Sequence, residues 1–268
     1  MQELADIHSV KADLIVPDMV EENPQAGKRV KQTIGPYQNT QNYHSIYLPK
    51  DWQPDKKYPV IVEYAGNGNY KNNYGDISTG KVEHSNLGYG ISAGEGVIWL
   101  CLPYINTSTQ SNEIKWWGDV EATVVYCKEA IAQVCEQYGG DKNNIFISGF
   151  SRGAIACNFV GLHDEKIASL WRGFICYSHY DGMINWPYPG SDREAAKKRL
   201  QRLDNRPQFI CHEISTSDTE SYLREVYPNG NFTFLPINFR NHNDAWVLRD
   251  IPERKILRSW FQDLLKTS

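Results

Sequence analysis

Residues 145–157 read Ile-Phe-Ile-Ser-Gly-Phe-Ser-Arg-Gly-Ala-Ile-Ala-Cys. A short apolar, β-branched run ends in Gly149-Phe150-Ser151-Arg152-Gly153 and passes directly into small residues that suit a helix. Glycines two positions either side of a serine are what a sharp strand-to-helix turn requires. A Cβ at either place would collide with the neighbouring strand or the helix start. A serine held at such a turn is strained, exposed and a candidate nucleophile. Its hydroxyl is weakly nucleophilic near neutral pH and needs a base to take its proton. A histidine base needs an acceptor on its second ring nitrogen, and a tetrahedral oxyanion needs pre-aimed N–H donors.

Seven histidines could serve as the base. His242 lies late in the chain, in Arg240-Asn-His-Asn-Asp244-Ala-Trp246, between an expected strand and the C-terminal helix. His8 falls in an N-terminal arm, His44 at the start of an early strand, His84 in a long loop and His163 after the helix that follows Ser151. His179 and His212 stand at or near strand ends, where they could line a cleft.

The elements that must position these groups come from hydrophobic patterning. At 268 residues the chain is long enough for one large α/β domain, and 41% hydrophobic with 22% charged residues is ordinary globular composition. Twenty-eight basic against 32 acidic residues give a net charge of −4 without a basic block, which argues against a nucleic-acid partner. No apolar run approaches the length of a membrane span. Residues 1–28 are polar and read as an N-terminal arm, followed by a single catalytic domain over 29–268. Arg29 to Ile34 and Tyr43 to Leu48 alternate as two antiparallel opening strands. Tyr58 to Tyr64 and Val97 to Leu102 are continuous apolar runs, as in strands buried on both faces. Between them runs a glycine-rich loop, 65–96. A helix is expected from about Trp116 to Tyr138, a strand over Phe174 to Tyr177, and a helix opened by a Ser191-x-x-Glu194 capping box. A strand over Gln208 to Ile214, a short helix over Thr219 to Val226 and a strand over Phe232 to Ile237 follow. The last helix opens near Pro252, with Ile256, Leu257, Trp260, Phe261, Leu264 and Leu265 on its apolar face. Six cysteines fall inside these elements and suit buried free thiols. Gly75 to Val82 approaches a phosphate loop but has valine in place of the needed Ser/Thr. Gly88-x-Gly90 leads toward a strand, which makes a poor dinucleotide fingerprint.

Strands alternating with helices imply a doubly wound, mostly parallel sheet with antiparallel first strands. With the Gly149-x-Ser151-x-Gly153 turn and a late histidine, residues 30–266 resemble the α/β-hydrolase family, most of whose members are serine hydrolases. The resemblance implies Ser151 as nucleophile and His242 as base. It puts the acid on the loop after the strand ending near Ile214, where Asp218 stands. Asp181, at the end of the preceding strand, is the alternative and Glu213 a third candidate. Asp218 has a competing structural reading, since Ser217-x-x-Glu220 makes a capping box with Asp218 in the first turn. Oxyanion donors are expected from the amides of Arg152 and of Asn67, in Ala65-Gly66-Asn67-Gly68. Ser-Arg also occurs at the elbow of the glucuronoyl esterases, but glycine follows Arg152 at once here. The Arg152 side chain could equally pair with a carboxylate. Trp116, Trp117, Trp186, Tyr188 and Trp246 lie where they could rim the cleft and stack on sugar or aryl groups.

The expected activity is carboxylic ester hydrolysis through an acyl-enzyme, on a small-molecule or saccharide ester. A serine peptidase of the same fold and a non-catalytic hydrolase-fold binding protein are the alternatives. No cofactor or metal is implied. Met1-Gln-Glu-Leu-Ala-Asp is not a signal peptide, and a secreted or periplasmic mature form is preferred to a cytoplasmic one.

Overall fold

A computed structural model of the chain describes residues 4–267; the first three residues of the expected N-terminal arm, and Ser268, lie outside them. Nine strands form the main sheet: β1 (Met19–Val20), β2 (Arg29–Gln32), β3 (His44–Tyr47), β4 (Tyr58–Tyr64), β5 (Ile98–Leu102), β6 (Gly140–Phe150), β7 (Gly173–Tyr177), β8 (Gln208–Glu213) and β9 (Phe232–Ile237). Their spatial order is β1-β2-β3-β5-β4-β6-β7-β8-β9. β3 pairs antiparallel with both β2 and β5, and every later neighbour is parallel. The doubly wound sheet with antiparallel early strands is therefore present. β1 was not foreseen; its two residues extend the edge parallel to β2.

The helices are α1 (Leu87–Ser92), α2 (Val120–Gln137), α3 (Arg152–Phe159), α4 (Glu165–Ala168), α5 (Arg193–Leu200), α6 (Ser217–Val226) and α7 (Pro252–Lys266). Successive strand residues point to opposite faces. Val60, Val62, Ile145 and Ile147 thus join one core with α2 and α3, while Ile61, Trp99 and Phe146 join the other with α1 and α7. Both faces being covered is why the central strands read as unbroken apolar runs. The N-terminal segment is stitched to the sheet, through isolated bridges from Ala5 to Phe239, Ala12 to Arg249 and Ala26 to Leu48.

Three local expectations are corrected. Trp116 and Gly118 take left-handed φ of 55° and 59°, so α2 cannot begin there; it starts at Val120, capped by the Asp119 side chain on the Ala122 N–H. Asp192, not Ser191, caps α5, and the Ser191 hydroxyl donates instead to the Trp186 carbonyl. Gly88 and Gly90 lie inside α1, where added Cβ atoms would meet the Trp99 ring at 2.1 Å and Val247 at 2.3 Å. On α7, Ile256 is exposed while Leu257 and Phe261 are buried. All six cysteines are buried and free.

Glu63, near the end of β4, is buried and accepts the N–H groups of Asn86, Leu87 and Gly88 at 3.2, 3.0 and 2.8 Å and the Trp99 indole at 2.7 Å. It thereby caps α1 from the sheet. Burial, and then the nearby Asp244, push its carboxyl up to about 7 from an ordinary value of 4.5. Between those values the folded chain holds a proton that the unfolded chain has lost, so this group's contribution to stability falls as pH rises. The unfolding free energy of the wild type minus that of Glu63→Gln should fall from pH 4.5 to 7, at up to about 1.4 kcal/mol per pH unit. Denaturant titrations across that range measure it; a pH-independent difference would show that Glu63 stays ionised.

Candidate active site

β6 ends at Phe150, and Ser151 takes φ 54°, ψ −116° before α3 begins at Arg152. A left-handed non-glycine residue stores on the order of 1–3 kcal/mol and persists only where its surroundings fix it. The two glycines supply that fixing. A Cβ on Gly153 would stand 1.9 Å from the Tyr64 carbonyl oxygen of β4, and one on Gly149 would stand 2.2 Å from the Gly153 carbonyl carbon. The Ser151 N–H donates to the Tyr177 carbonyl on β7 at 2.9 Å. The turn is thus clamped between its two neighbouring strands.

Ser151 Oγ lies 3.1 Å from His242 Nε2. On the other side of the ring, His242 Nδ1 lies 2.8 Å from Glu213 Oε1 and 2.9 Å from Ser178 Oγ. Glu213 is the last residue of β8, and its side chain is 7% exposed. Burial pushes its carboxyl up, but the bond and charge of His242, with His212 beside it, outweigh burial and leave it below the ordinary carboxylate value. It is therefore an anion throughout the neutral range, suited to hold Nδ1–H and leave Nε2 with its lone pair toward the serine.

Asp218, the acid favoured on sequence, does not face His242. It is exposed in the first turn of α6, where its charge suits the helix N-terminus. Its supposed capping box is not made either, since the cap residue Thr216 has no side-chain bond. Asp181 is engaged elsewhere, holding Arg199 through two bonds of 2.8 and 2.9 Å. The third candidate, Glu213, occupies the acceptor position. Asp218 sits beyond the turn made by Ile214, at φ 69°, and Thr216, which carries the chain away from the sheet edge.

The ring of His242 is flanked by Phe150 at 4.8 Å, Tyr70 at 4.9 Å and His179 at 5.4 Å between centroids. Burial holds His179 down at about 4, so it stays a neutral imidazole beside the cleft. Its Nδ1 lies 3.2 Å from Ser178 Oγ. Ser178, with φ 84°, was not singled out on sequence; nothing in its local pattern marks a serine that touches two imidazoles.

The Arg152 side chain is buried and, among the described residues, hydrogen-bonds to no carboxylate. Its guanidinium donates to the carbonyls of Ala65 (3.4 Å), Gly66 (2.9 Å), Gly80 (3.4 Å) and Trp116 (2.5 Å) and lies 4.0 Å over the Tyr104 ring. It pins the loop after β4 to the elbow. In that loop Asn67 accepts the Trp116 N–H on its side-chain oxygen at 2.7 Å. The Arg152 N–H, first in α3, belongs to the group of amides that a helix start leaves without an intrahelical partner.

The five aromatic candidates divide. Trp117 is fully buried, stacked 4.3 Å from Phe159, and Trp246 is buried against Tyr177, so both are core residues and not cleft residues. Tyr188 packs edge-on against Trp117 with its hydroxyl donating to the Gly118 carbonyl. Trp116 and Trp186 are half-buried with rings 5.2 Å apart, and Trp186 also lies 5.9 Å from His179. Through His179 they connect to the ring of His242. A separate cleft of about 740 Å³ over Lys31 to Tyr43 contains none of these groups.

The chain has the α/β-hydrolase fold. No family model matches its sequence, and no curated protein matches it. Among solved structures it is similar to a thermostable esterase, with TM-score 0.57 and 14% identity over 88% of this chain and 62% of the esterase. This chain thus spans less than two thirds of that protein's length. It is also similar to esterases from Rhizomucor miehei, with TM-score 0.60 and 13% identity over 96% of this chain and 85% of the other. Thermogutta terrifontis esterase 2, in a form phosphorylated by paraoxon, matches with TM-score 0.60 and 16% identity over 93% of this chain and 98% of the other. At these identities the likeness establishes the fold.

The geometry makes a discriminating expectation for the acid. Glu213→Gln should lower kcat on an ester substrate by about 10²–10⁴, by allowing the wrong imidazole tautomer. Asp218→Asn should stay within about twofold of wild type. Steady-state kinetics on the purified variants, with melting temperatures as the folding control, would show the reverse pattern if Asp218 were the acceptor. Replacing the loop-pinning guanidinium by Arg152→Lys should also cost activity, because an ammonium cannot reach four carbonyls in a planar fork.

Proposed function

We propose that this chain is a serine hydrolase that cleaves a carboxylic ester through an acyl-enzyme, with an ester carried on carbohydrate as its substrate class. The observation that carries the reading is the continuous chain of contacts from Ser151 Oγ through both His242 ring nitrogens to the buried Glu213 carboxylate. In this reaction His242 takes the Ser151 proton as Oγ attacks the carbonyl carbon. Glu213 fixes the tautomer and stabilises the imidazolium without itself taking the proton. The backbone N–H groups of Arg152 and Asn67 receive the oxyanion. Collapse of the tetrahedral species breaks the ester C–O bond, and His242 returns the proton to the departing alcohol. Water, deprotonated by His242, then attacks the acyl carbon and releases Ser151.

The saccharide part of the proposal rests on the cleft rim. Trp116 and Trp186 offer half-buried rings, Trp186 packing on His179, which packs on His242, and the neutral His179 adds a third ring that can share hydrogen bonds with hydroxyls. Flat rings with polar edges suit the apolar faces and hydroxyl edges of pyranoses. Organophosphorus chemistry gives the first test, since the similar Thermogutta terrifontis esterase 2 was obtained phosphorylated by paraoxon.

A fluorophosphonate probe should label the wild type at Ser151 and leave Ser151→Ala unlabelled. Absence of wild-type labelling would favour the non-catalytic binding reading. A panel of acetyl, feruloyl and uronate methyl esters on saccharides, short aryl esters and aminoacyl amides separates the rest. Saccharide esters should show the highest kcat/KM, and Trp186→Ala should reduce that preference while sparing aryl esters. Turnover of the amides in place of the esters would replace the proposal by the peptidase reading.

A further inference from the structure

His242 sits on a segment, 238–243, that belongs to no helix and no strand of the main sheet. Its shape has to come from side chains, and one side chain supplies most of it. Asp76 is buried, 1% exposed, at the far end of the short hairpin formed by Tyr70–Lys71 and Ile77–Ser78. Its Oδ1 accepts from the Asn241 side-chain amide at 3.0 Å and from the Asn243 side-chain amide. Its Oδ2 accepts from the backbone N–H of His242 at 2.9 Å and from the Asn72 amide at 2.6 Å. Two carboxylate oxygens offer about four acceptor sites, and these four donors fill them. Burial pushes the Asp76 carboxyl up, but these hydrogen bonds outweigh it and hold the group below its ordinary value.

Three consecutive residues, 241 to 243, therefore hang on one anion that comes from the loop between β4 and α1. The same hairpin carries Tyr70, whose ring packs on the His242 imidazole. Asn241 extends the connection outward, because its side-chain oxygen accepts the Ile7 N–H at 2.8 Å. Alongside, the Arg240 N–H donates to the Ala5 carbonyl at 3.1 Å, Arg240 donates to Asp6 at 2.9 Å, and His8 Nε2 stands 3.7 Å from Asp76. The N-terminal segment thus closes over the outer side of the histidine loop.

We propose that Asp76 is the positioning residue of the catalytic histidine, and that the segment Ala5–His8, joined to it through Asn241, is a working part of the active site. This rests on the hydrolase reading of Ser151, His242 and Glu213. The argument is one of tolerance. The Ser151–His242 contact is already 3.1 Å, and a displacement of about 1 Å at a reacting centre can cost on the order of a hundredfold in rate. An amide at position 76 would keep the volume but present N–H donors toward donors from Asn72, Asn241, Asn243 or the His242 backbone. At least one pair would then be left opposed inside a buried site.

The test uses full-length protein and a short-chain aryl ester. Asp76→Asn should lower kcat by about tenfold or more with KM within about twofold, because the loop holds the base and not the substrate. Asn241→Ala, which cuts the link to Ile7, should give a smaller loss of kcat with the same unchanged KM. A kcat within twofold of wild type for Asp76→Asn, or a rise in KM that accounts for the whole loss of kcat/KM, overturns the proposal. If Asp76→Asn does not fold, Asn243→Ala removes one donor of the four; a graded fall in kcat is expected and an unchanged kcat overturns the proposal. Amide hydrogen exchange separates this inference from the hydrolase reading, since it needs no turnover. In Asp76→Asn, or in Asn243→Ala should that be the folded variant, exchange should quicken in peptides covering 239–244 and 5–8 and not in β6. Unchanged exchange there would overturn the positioning role even if wild type proved inert toward esters and fluorophosphonates.

Discussion

At the elbow two backbones come into direct contact. Gly153, in the first turn of α3, lies so near the Tyr64 carbonyl of β4 that no side chain fits between them. That approach lets a helix leave the middle of the sheet directly above the neighbouring strand, and at the junction Ser151 holds a strained positive φ of 54°. The loop after β4 is brought against the same turn, and the Arg152 guanidinium ties it there by its carbonyls. Ser151, the loop after β4 and the sheet are therefore tied together by direct contacts.

Glu213 and His242 are positioned by a different principle. Glu213 is placed by register alone: it ends β8 opposite Ile237 of β9, one strand from Tyr177, whose carbonyl holds the Ser151 N–H. His242 has no such register, and its loop is shaped by buried polar contacts to Asp76 and to the N-terminal segment. The site thus joins a part held by packing to a part held by hydrogen bonds, and they meet at the Ser151–His242 contact.

The division explains what could be read from residues alone. Ser151, its flanking glycines and β4 were legible because local sterics and continuous apolar runs write themselves into adjacent letters. His242 was legible from its position after the last strand. The residues alone point to Asp218 where the structure sets Glu213 beside His242, because the two are five positions apart and only the turn at Ile214 and Thr216 decides which one stays at the sheet edge. Asp76 was invisible for a related reason. Its donors come from residues 72 and 241–243, and no pattern within a window joins segments some 165 positions apart. Trp117 and Trp246, which by position could have rimmed the cleft, are sealed in the core, and composition cannot tell such a tryptophan from one with a polar neighbour.

The Arg152 guanidinium carries one last consequence. It is a full positive charge, buried one residue from the serine, and it meets neutral groups: four carbonyls and the side chain of Tyr104. Burial lowers its hold on its proton to about 10, with Tyr104 and then Glu113 acting the other way, which still leaves it cationic at neutral pH. Among the described residues no carboxylate is in hydrogen-bond contact with it. In a low-dielectric surround such a charge acts over a longer range than one in water. The same charge holds together four carbonyl dipoles, from Ala65, Gly66, Gly80 and Trp116, that would otherwise converge and repel.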